Sequence, residues 1–207
     1  MDSPIAGRYR HIHIRGVLVL LCMIFFLNRA YGQRIYTTLR TEDPPVIDGK
    51  LDDACWESGE WQSDYKQFVP VYNGEVSYRT EIKVLYNNRS LFVGVRSFDD
   101  MDKITKRLGR RDNYLGDMVG IQLDSYHDRR TAFEFVVTAA GQKMDMWISN
   151  DDMDINWNAV WYVKVAFQED AWTAEFEIPF TQLRYSPANE QVWGFNSWRY
   201  VNRLQEE

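Results

Sequence analysis

The chain has 207 residues, 45% of them hydrophobic and 26% charged, proportions of a folded globular protein that exclude wholesale disorder. One domain around one core is expected at this length. Thirty acidic against 24 basic residues give −6, which argues against a nucleic-acid partner, because phosphate binding needs a basic stripe. Aromatics are the anomaly: eight Trp, twelve Tyr and eleven Phe make 15% of the chain. That richness is typical of β-sheets and of surfaces that stack flat ligands.

Arg8, Arg10 and Arg15 precede Gly16–Leu27, twelve apolar residues without a charge. About twenty are needed to span a bilayer, so the run is too short for an anchor and suits a signal-peptide core. Ala30-Tyr31-Gly32 follows with small residues where a signal peptidase reads. The expectation is a signal peptide over 1–32, a mature domain over 33–207, and export to the periplasm, outer membrane or extracellular space. Loss of 1–32 removes four arginines and Asp2, leaving 20 basic and 29 acidic residues, or −9. Cys22 leaves too; it lies inside the apolar run, which argues against a lipoprotein anchor. Cys55 is then alone, so no intrachain disulfide can form. His127 is the one remaining histidine, around which any zinc centre or Ser-His-Asp triad would have to be built.

Period-two alternation runs through the mature chain. In Arg79–Tyr86, Ile82, Val84 and Tyr86 share one face, while Glu81 and Lys83 point the other way. Asn87-Asn88-Arg89 is a turn, and Leu91–Val95 returns as its hairpin partner. Further strands are expected at Met118–Asp124, Thr131–Thr138, Lys143–Ser149, Trp161–Gln168, Ala171–Ile178 and Val192–Val201. Helical pattern is limited to single turns near Asp52–Glu57, Asp102–Leu108 and Thr181–Leu183. Short strands joined by turns predict an all-β, antiparallel β-sandwich of immunoglobulin-like or jelly-roll type with one or two short helical turns. The last strand runs into Asn202–Glu207 with no closing turn evident in the sequence, which is expected either of a module cut from a longer protein or of a short polar tail.

Strand parity sorts the tryptophans. Trp161 shares a face with Val163, Val165 and Phe167, and Trp172 with Ala174, Phe176 and Ile178, so both belong to the core. Trp147 is in phase with Asp145 and Ser149, whereas Met144, Met146 and Ile148 take the opposite face. Trp147 is therefore expected on an outer face or under a loop, and Tyr162, in phase with Lys164 and Gln168, is expected to be exposed. Trp157 sits in the polar loop Asp154–Asn158. In the last strand, Trp193 and Phe195 oppose Trp198 and Tyr200, so one pair lies outside the main core. An exposed Trp beside Asn, Asp or Arg suits a sugar, whose C–H face packs on the ring while polar groups bind its hydroxyls. Trp147 and Trp157 are the stacking candidates, with Arg111, Arg129 and Asn158 as polar partners. Packing on the sandwich edge is the alternative role for each, and above all for Trp56 and Trp61. Cys55, beside Trp56, reads as a small buried residue.

Acidic residues gather at Asp99, Asp100 and Asp102; Asp112 and Asp117; Asp124 and Asp128; and Asp151, Asp152 and Asp154. Carboxylates from several loops can hold calcium; Asp99, Asp112 and Asp117 are the candidate ligands, and solvated turns are the alternative. No segment fits the twelve-residue calcium loop of an EF-hand. A pair of carboxylates could serve glycoside hydrolysis, but no local motif singles one out. Tyr126-His127-Asp128-Arg129-Arg130 reads as a loop held by ion pairs around Asp128. A haem reading pairing His127 with Met118, Met144 or Met146 lacks the c-type attachment motif, since one Cys remains.

Several of these segments, in order, resemble one family. Val46-Ile47-Asp48-Gly49-Lys50-Leu51-Asp52-Asp53 with Trp56 is similar to the opening motif of the carbohydrate-binding module family 9-like domain. Thr80–Val95 (TEIKVLYNNRSLFVGV) is similar to its first long hairpin. Leu123–Ala132 resembles a subgroup at the start of large bacterial envelope proteins. Asn156–Trp161, Trp172–Glu175 and Trp193–Asn196 continue the likeness, which covers Val46–Glu207. The resemblance implies a saccharide-binding β-sandwich, with structural calcium in some members and frequent attachment to glycoside hydrolases. For the subgroup it implies a following, membrane-associated β-rich region. The founding members hold sugar between two tryptophans, a pair that does not map here residue by residue.

Three readings remain open. The first is an exported, non-catalytic carbohydrate-binding module linked to carbohydrate catabolism. The second is a structural or docking domain of an outer-membrane-associated protein. The third is part of a glycoside hydrolase.

Overall fold

The structure, a computed structural model, describes residues 34–109, 115–150 and 152–207. The chain divides into two compact units, Met1–Thr37 and Thr38–Glu207. Of the first, only residues 34–37 are described, and they form no regular element. The expected signal peptide over 1–32 lies outside the described residues.

Thr38–Glu207 is an all-β sandwich of two five-stranded sheets. The first sheet holds β1 (Leu39–Arg40), β2 (Thr80–Tyr86), β3 (Ser90–Phe98), β8 (Tyr162–Phe167) and β9 (Ala171–Pro179) in the order β1-β2-β3-β9-β8. The second holds β4 (Met118–Asp124), β5 (Thr131–Thr138), β6 (Lys143–Ser149), β7 (Asp152–Asp154) and β10 (Gly194–Tyr200) in the order β10-β4-β5-β6-β7. The pairings are antiparallel except β1 with β2. The expected helical turns are short 3-10 turns at Ala54–Glu57, Met101–Lys103 and Phe180–Gln182. Strands β1 and β7 have two and three residues, too few to show a period.

The inward faces of the two sheets supply the main core, including Val93, Val95, Phe176, Ile121, Phe135 and Val137. Trp161 stacks parallel to Phe176 at 5.9 Å and meets Phe135 edge-on at 5.2 Å. Burying an indole removes about 200 Å² from water, worth about 5 kcal/mol, so Trp161 and Trp172 anchor the sandwich as their parity predicts. Phe167 keeps that face, directly opposite Trp172, but is not enclosed. It is 42% exposed at the end of an edge strand, with the Lys106 ammonium 3.5 Å from its ring centroid.

A second cluster covers the outer face of the first sheet. Leu51 and Trp56, with Ile47, Cys55 and Trp61, pack on Leu85 of β2 and Phe92 of β3. This explains the Ile47-Asp48-Gly49 motif in physical terms. Gly49 has φ +91°, and a Cβ there would lie 2.7 Å from the Val165 carbonyl carbon, so only glycine lets the segment touch β8. Its carbonyl accepts a 2.6 Å bond from the Thr173 hydroxyl. Gly94 of β3 is a second requirement, since a Cβ would reach 2.8 Å from Leu51 and 3.1 Å from both Trp56 and Trp61. Burial pushes the Cys55 thiol up to about 11, which suits a packing role over a nucleophilic one.

Strand β6 decides one expectation. Trp147 pairs directly with Phe133, and Asp145 with Phe135; directly opposed residues share a face. The polar row Lys143, Asp145 and Trp147 therefore faces inward, and Met144, Met146 and Ile148 take the outer face, where Met146 is buried. The parity was right, and of the two placements expected for Trp147, an outer face or under a loop, the outer face is excluded. Toward this edge of the second sheet the inward row is met by chain crossing between the sheets: Asp145 accepts from the Ala159 amide at 2.7 Å and the Trp161 indole at 3.0 Å.

Candidate functional site

The outer face of the second sheet carries the most ordered array of sugar-compatible groups. Cross-strand register places Asn196, Gln122 and Glu134 in one row across β10, β4 and β5, and Trp198, Gly120 and Val136 in the next. A Cβ on Gly120 would lie 2.3 to 2.6 Å from Cε2, Cζ2 and Nε1 of Trp198. The indole thus lies across the neighbouring strand, and glycine is what admits it. The ring nitrogen donates to Glu134 Oε1 at 2.7 Å, and Gln122 donates to the same oxygen at 3.0 Å. Asn196 donates in turn to Gln122 Oε1 at 3.2 Å. Glu134 is buried, Trp198 half-buried and Asn196 exposed. The array joins a flat apolar ring to oriented amide and carboxylate groups, the two kinds of contact a pyranose makes.

Parity had set Trp198 and Tyr200 on the face opposite Trp193 and Phe195 without saying which pair leaves the core, and it gave no sign of the residues around them. The pairing of Trp198 with Gly120 is a register fact, and a single sequence carries no direct signal of register between β4 and β10. Gly120 inside an apolar strand was the one available hint of close approach by another group.

The sequence-predicted residues fall at the β6–β7 edge and on the β4–β5 loop. Trp147 is 38% exposed. Trp157 is half-buried and packs on Phe133 at 5.0 Å and Phe135 at 5.7 Å. Both tryptophans thus adjoin Phe133, from β6 and from the following loop. That loop is held by Asp154, whose Oδ1 accepts from the Asn156 amide at 3.0 Å, and by Asn158, which donates to the Asn156 carbonyl at 2.8 Å. Arg111 lies outside the described residues.

Arg129 sits on the β4–β5 loop, exposed and with φ +58°. The loop is not held around Asp128 in the way expected. Asp128 accepts from the backbone amides of Arg130 and Thr131, each at 2.8 Å, and from the Thr131 hydroxyl at 3.0 Å. Asp124 accepts from the Asp128 and Arg129 amides at 3.1 and 2.7 Å. The Thr131 and Arg130 amides hold the Asp128 carboxyl below its usual range. Backbone donors, not guanidinium pairs, set this turn and leave its arginine heads to solvent.

The two described calcium candidates, Asp99 and Asp117, are committed to other partners. Both oxygens of Asp99 are taken by guanidinium groups, one by Arg199 and the other by Arg203, and its side chain is fully buried. Asp117 accepts from the Asn202 amide at 2.7 Å and the Thr105 amide at 2.9 Å. A divalent cation at Asp99 would face two fixed positive charges, so this donor set does not suit calcium. Asp112, the third candidate, lies outside the described residues. Among the described residues no cluster of three or more His, Cys, Asp or Glu could hold a metal. Asp99 and Asp117 instead tie the end of β10 to the loops before β4.

Residues 47–203 match the family described as carbohydrate family 9 binding domain-like. No curated protein matches the sequence. Among solved structures, the fold is similar to a family 9 carbohydrate-binding module from Caldicellulosiruptor kristjanssonii in complex with glucose, at 22% identity and TM-score 0.56, covering 77% of this chain and 75% of that one. The same description with cellotriose gives 20% identity and TM-score 0.59, covering 82% and 80%. A candidate carbohydrate-binding protein from Bacteroides uniformis ATCC 8492 aligns at 11% identity and TM-score 0.61, covering 81% and 84%. With the family match spanning both sheets and the segment that covers the first, the chain belongs to the carbohydrate family 9 binding domain-like family.

Proposed function

We propose that the domain binds saccharide without transforming it, using the outer face of the second sheet. The observation that carries this reading is the Trp198 indole laid over Gly120 and bonded to Glu134. Its ring supplies the stacking surface, while Asn196 and Gln122 present amides for hydroxyl groups. The relatives described in complex with glucose and with cellotriose make β-glucan oligosaccharides the first ligands to try. The arginine-flanked apolar run at Gly16–Leu27 supports an exported protein.

A second reading places the sugar at the β6–β7 edge. The exposure of Trp147 beside a loop built from Asp154, Asn156 and Asn158 favours it, with Trp157 and Arg129 contributing at its margins. Calorimetric titration of gluco-oligosaccharides into wild type, Trp198→Ala and Trp147→Ala separates the two. Loss of binding in Trp198→Ala alone supports the sheet face, and loss in Trp147→Ala alone moves the site to the edge. Folded protein that binds no sugar in a broad panel overturns both, leaving the docking-domain reading.

A further inference from the structure

An open groove of about 430 Å³ lies on the other sheet. Three separate stretches of chain build it. Pro45 and Ile47, at the start of the covering segment, form one wall, and Tyr162 and Lys164 of the edge strand β8 form another. Lys143 reaches in from β6 of the second sheet, and Glu177 of β9 completes the lining. The volume is within the range of small-ligand sites, about 300–1,000 Å³.

The chemistry of the lining is specific. Tyr162 and Lys164 are two apart on β8, so both project from the outer face, and Tyr162 is 53% exposed. Glu177 pairs directly with Tyr162 across the strands and accepts a 2.9 Å bond from the Ser90 hydroxyl, which fixes its carboxylate beside the phenol ring. Lys143 donates to the Trp161 carbonyl at 2.8 Å, with its ammonium 4.9 Å from the Trp161 ring centroid. An ammonium has three donors, so that bond does not exhaust it. Two lysines stand against one glutamate in the groove lining, while Glu175, opposite Lys164 on β9, is taken up by the Asp48 and Gly49 amides and the Trp56 indole.

We propose that this groove is a second saccharide site, selective for an anionic pyranoside. The sugar's apolar face packs on Tyr162, its acidic group faces Lys164 and Lys143, and a hydroxyl donates to Glu177. Carboxylated and sulfated sugars share this chemistry. The site is independent of Trp198, which lies on the opposite sheet.

The test uses the full chain and four probes: a galacturonate trimer, its methyl ester, a sulfated neutral trisaccharide and cellotriose. Binding is read by calorimetry in wild type, Tyr162→Ala, Lys164→Gln and Trp198→Ala, each checked for fold by circular dichroism. The expected result is binding of at least one anionic probe, weakened about tenfold by Lys164→Gln, as loss of one charge-assisted hydrogen bond would do. Tyr162→Ala should abolish it and Trp198→Ala should leave it unchanged. The carboxylated and sulfated probes identify which acid is preferred. Equal affinity for the trimer and its ester, anionic binding that survives in Tyr162→Ala, or no binding of either anionic probe overturns the proposal. Loss of cellotriose binding in Trp198→Ala with anionic binding intact separates this site from the one on the second sheet.

Discussion

Lys83 and Glu175 stand on either side of Gly94 in one row across β2, β3 and β9, and both grip the same covering segment. Lys83 Nζ donates to the carbonyls of Trp56, Ser58 and Gly59 at 2.7, 2.9 and 2.9 Å. Glu175 accepts from the amides of Asp48 and Gly49 at 3.1 and 2.8 Å, and from the Trp56 indole at 2.8 Å. Two buried charges thus bind backbone and indole groups of the segment, and the glycine between them makes room for its tryptophans. Glu175→Ala would strand three donors under the cover, at a cost of about 3 kcal/mol. Urea unfolding should show that loss, with Glu175→Gln in between; a change under 0.5 kcal/mol, about the size of a surface substitution, would remove the carboxylate from the fold's supports.

The same residue makes a pH prediction. Burial raises the Glu175 carboxyl above its usual value of 4.5, against the lowering effect of its three donors. A raised folded pKa means that the folded state holds the proton more tightly than the unfolded chain. The contribution is therefore full below about pH 4.5 and is lost as pH rises through the folded value. Glu175→Gln has no such titration. The stability advantage of wild type over that variant should shrink as pH increases from 4 toward neutrality, in urea midpoints taken across that window. An advantage that grows with pH would mean that the hydrogen bonds outweigh burial.

How far the fold was legible follows from strand length and environment. Strands β4, β5 and β6 stand at their predicted boundaries, because seven or eight alternating residues between turn signals leave little freedom. The polar inward row of β6 shows the limit. Polarity left Trp147 open between an outer face and a place under a loop, because near the sandwich edge an inward row can be Lys143, Asp145 and Trp147 if crossing chain supplies partners. The candidate array on the second sheet was half legible. Alternation showed that either Trp198 and Tyr200 or Trp193 and Phe195 must leave the core, but Gln122, Glu134 and Gly120 join Trp198 through register, which couples residues more than 60 positions apart.

Asp99 supplies a test of the calcium assignment. Its two oxygens pair with Arg199 and Arg203, and the Arg203 guanidinium lies 4.7 Å from the Tyr78 ring centroid. Asp99→Asn would leave two enclosed cations without their counter-charge, costing about 3–5 kcal/mol. Thermal and urea unfolding should show the same loss in millimolar calcium and in chelator. A loss confined to the calcium condition would restore Asp99 as a ligand.

Gly120→Ala tests the sheet-face site without touching a binding group. The new methyl would lie 2.3 to 2.6 Å from indole atoms of Trp198, too close for the ring to keep its place across the strand. The ring should tilt away, breaking its bond to Glu134. Saccharide affinity should fall at least tenfold, while near-ultraviolet circular dichroism reports a changed tryptophan environment in a folded protein. Unchanged affinity would mean that sugar does not use this face of Trp198.

Trp147 and Trp157 should separate cleanly by stability. Trp157 contributes ring contacts to Phe133 and Phe135, so Trp157→Ala opens a void against the core and should cost about 2–3 kcal/mol. Trp147 pairs with Phe133 at the sheet edge with more than a third of its surface exposed. Trp147→Ala should therefore cost less than about 1 kcal/mol. Urea midpoints of both variants measure the difference directly. If Trp157→Ala proves as mild as Trp147→Ala, its packing is dispensable and its ring becomes available to a ligand. If Trp147→Ala proves the more damaging, the indole serves the sandwich edge and the second sugar reading loses its platform.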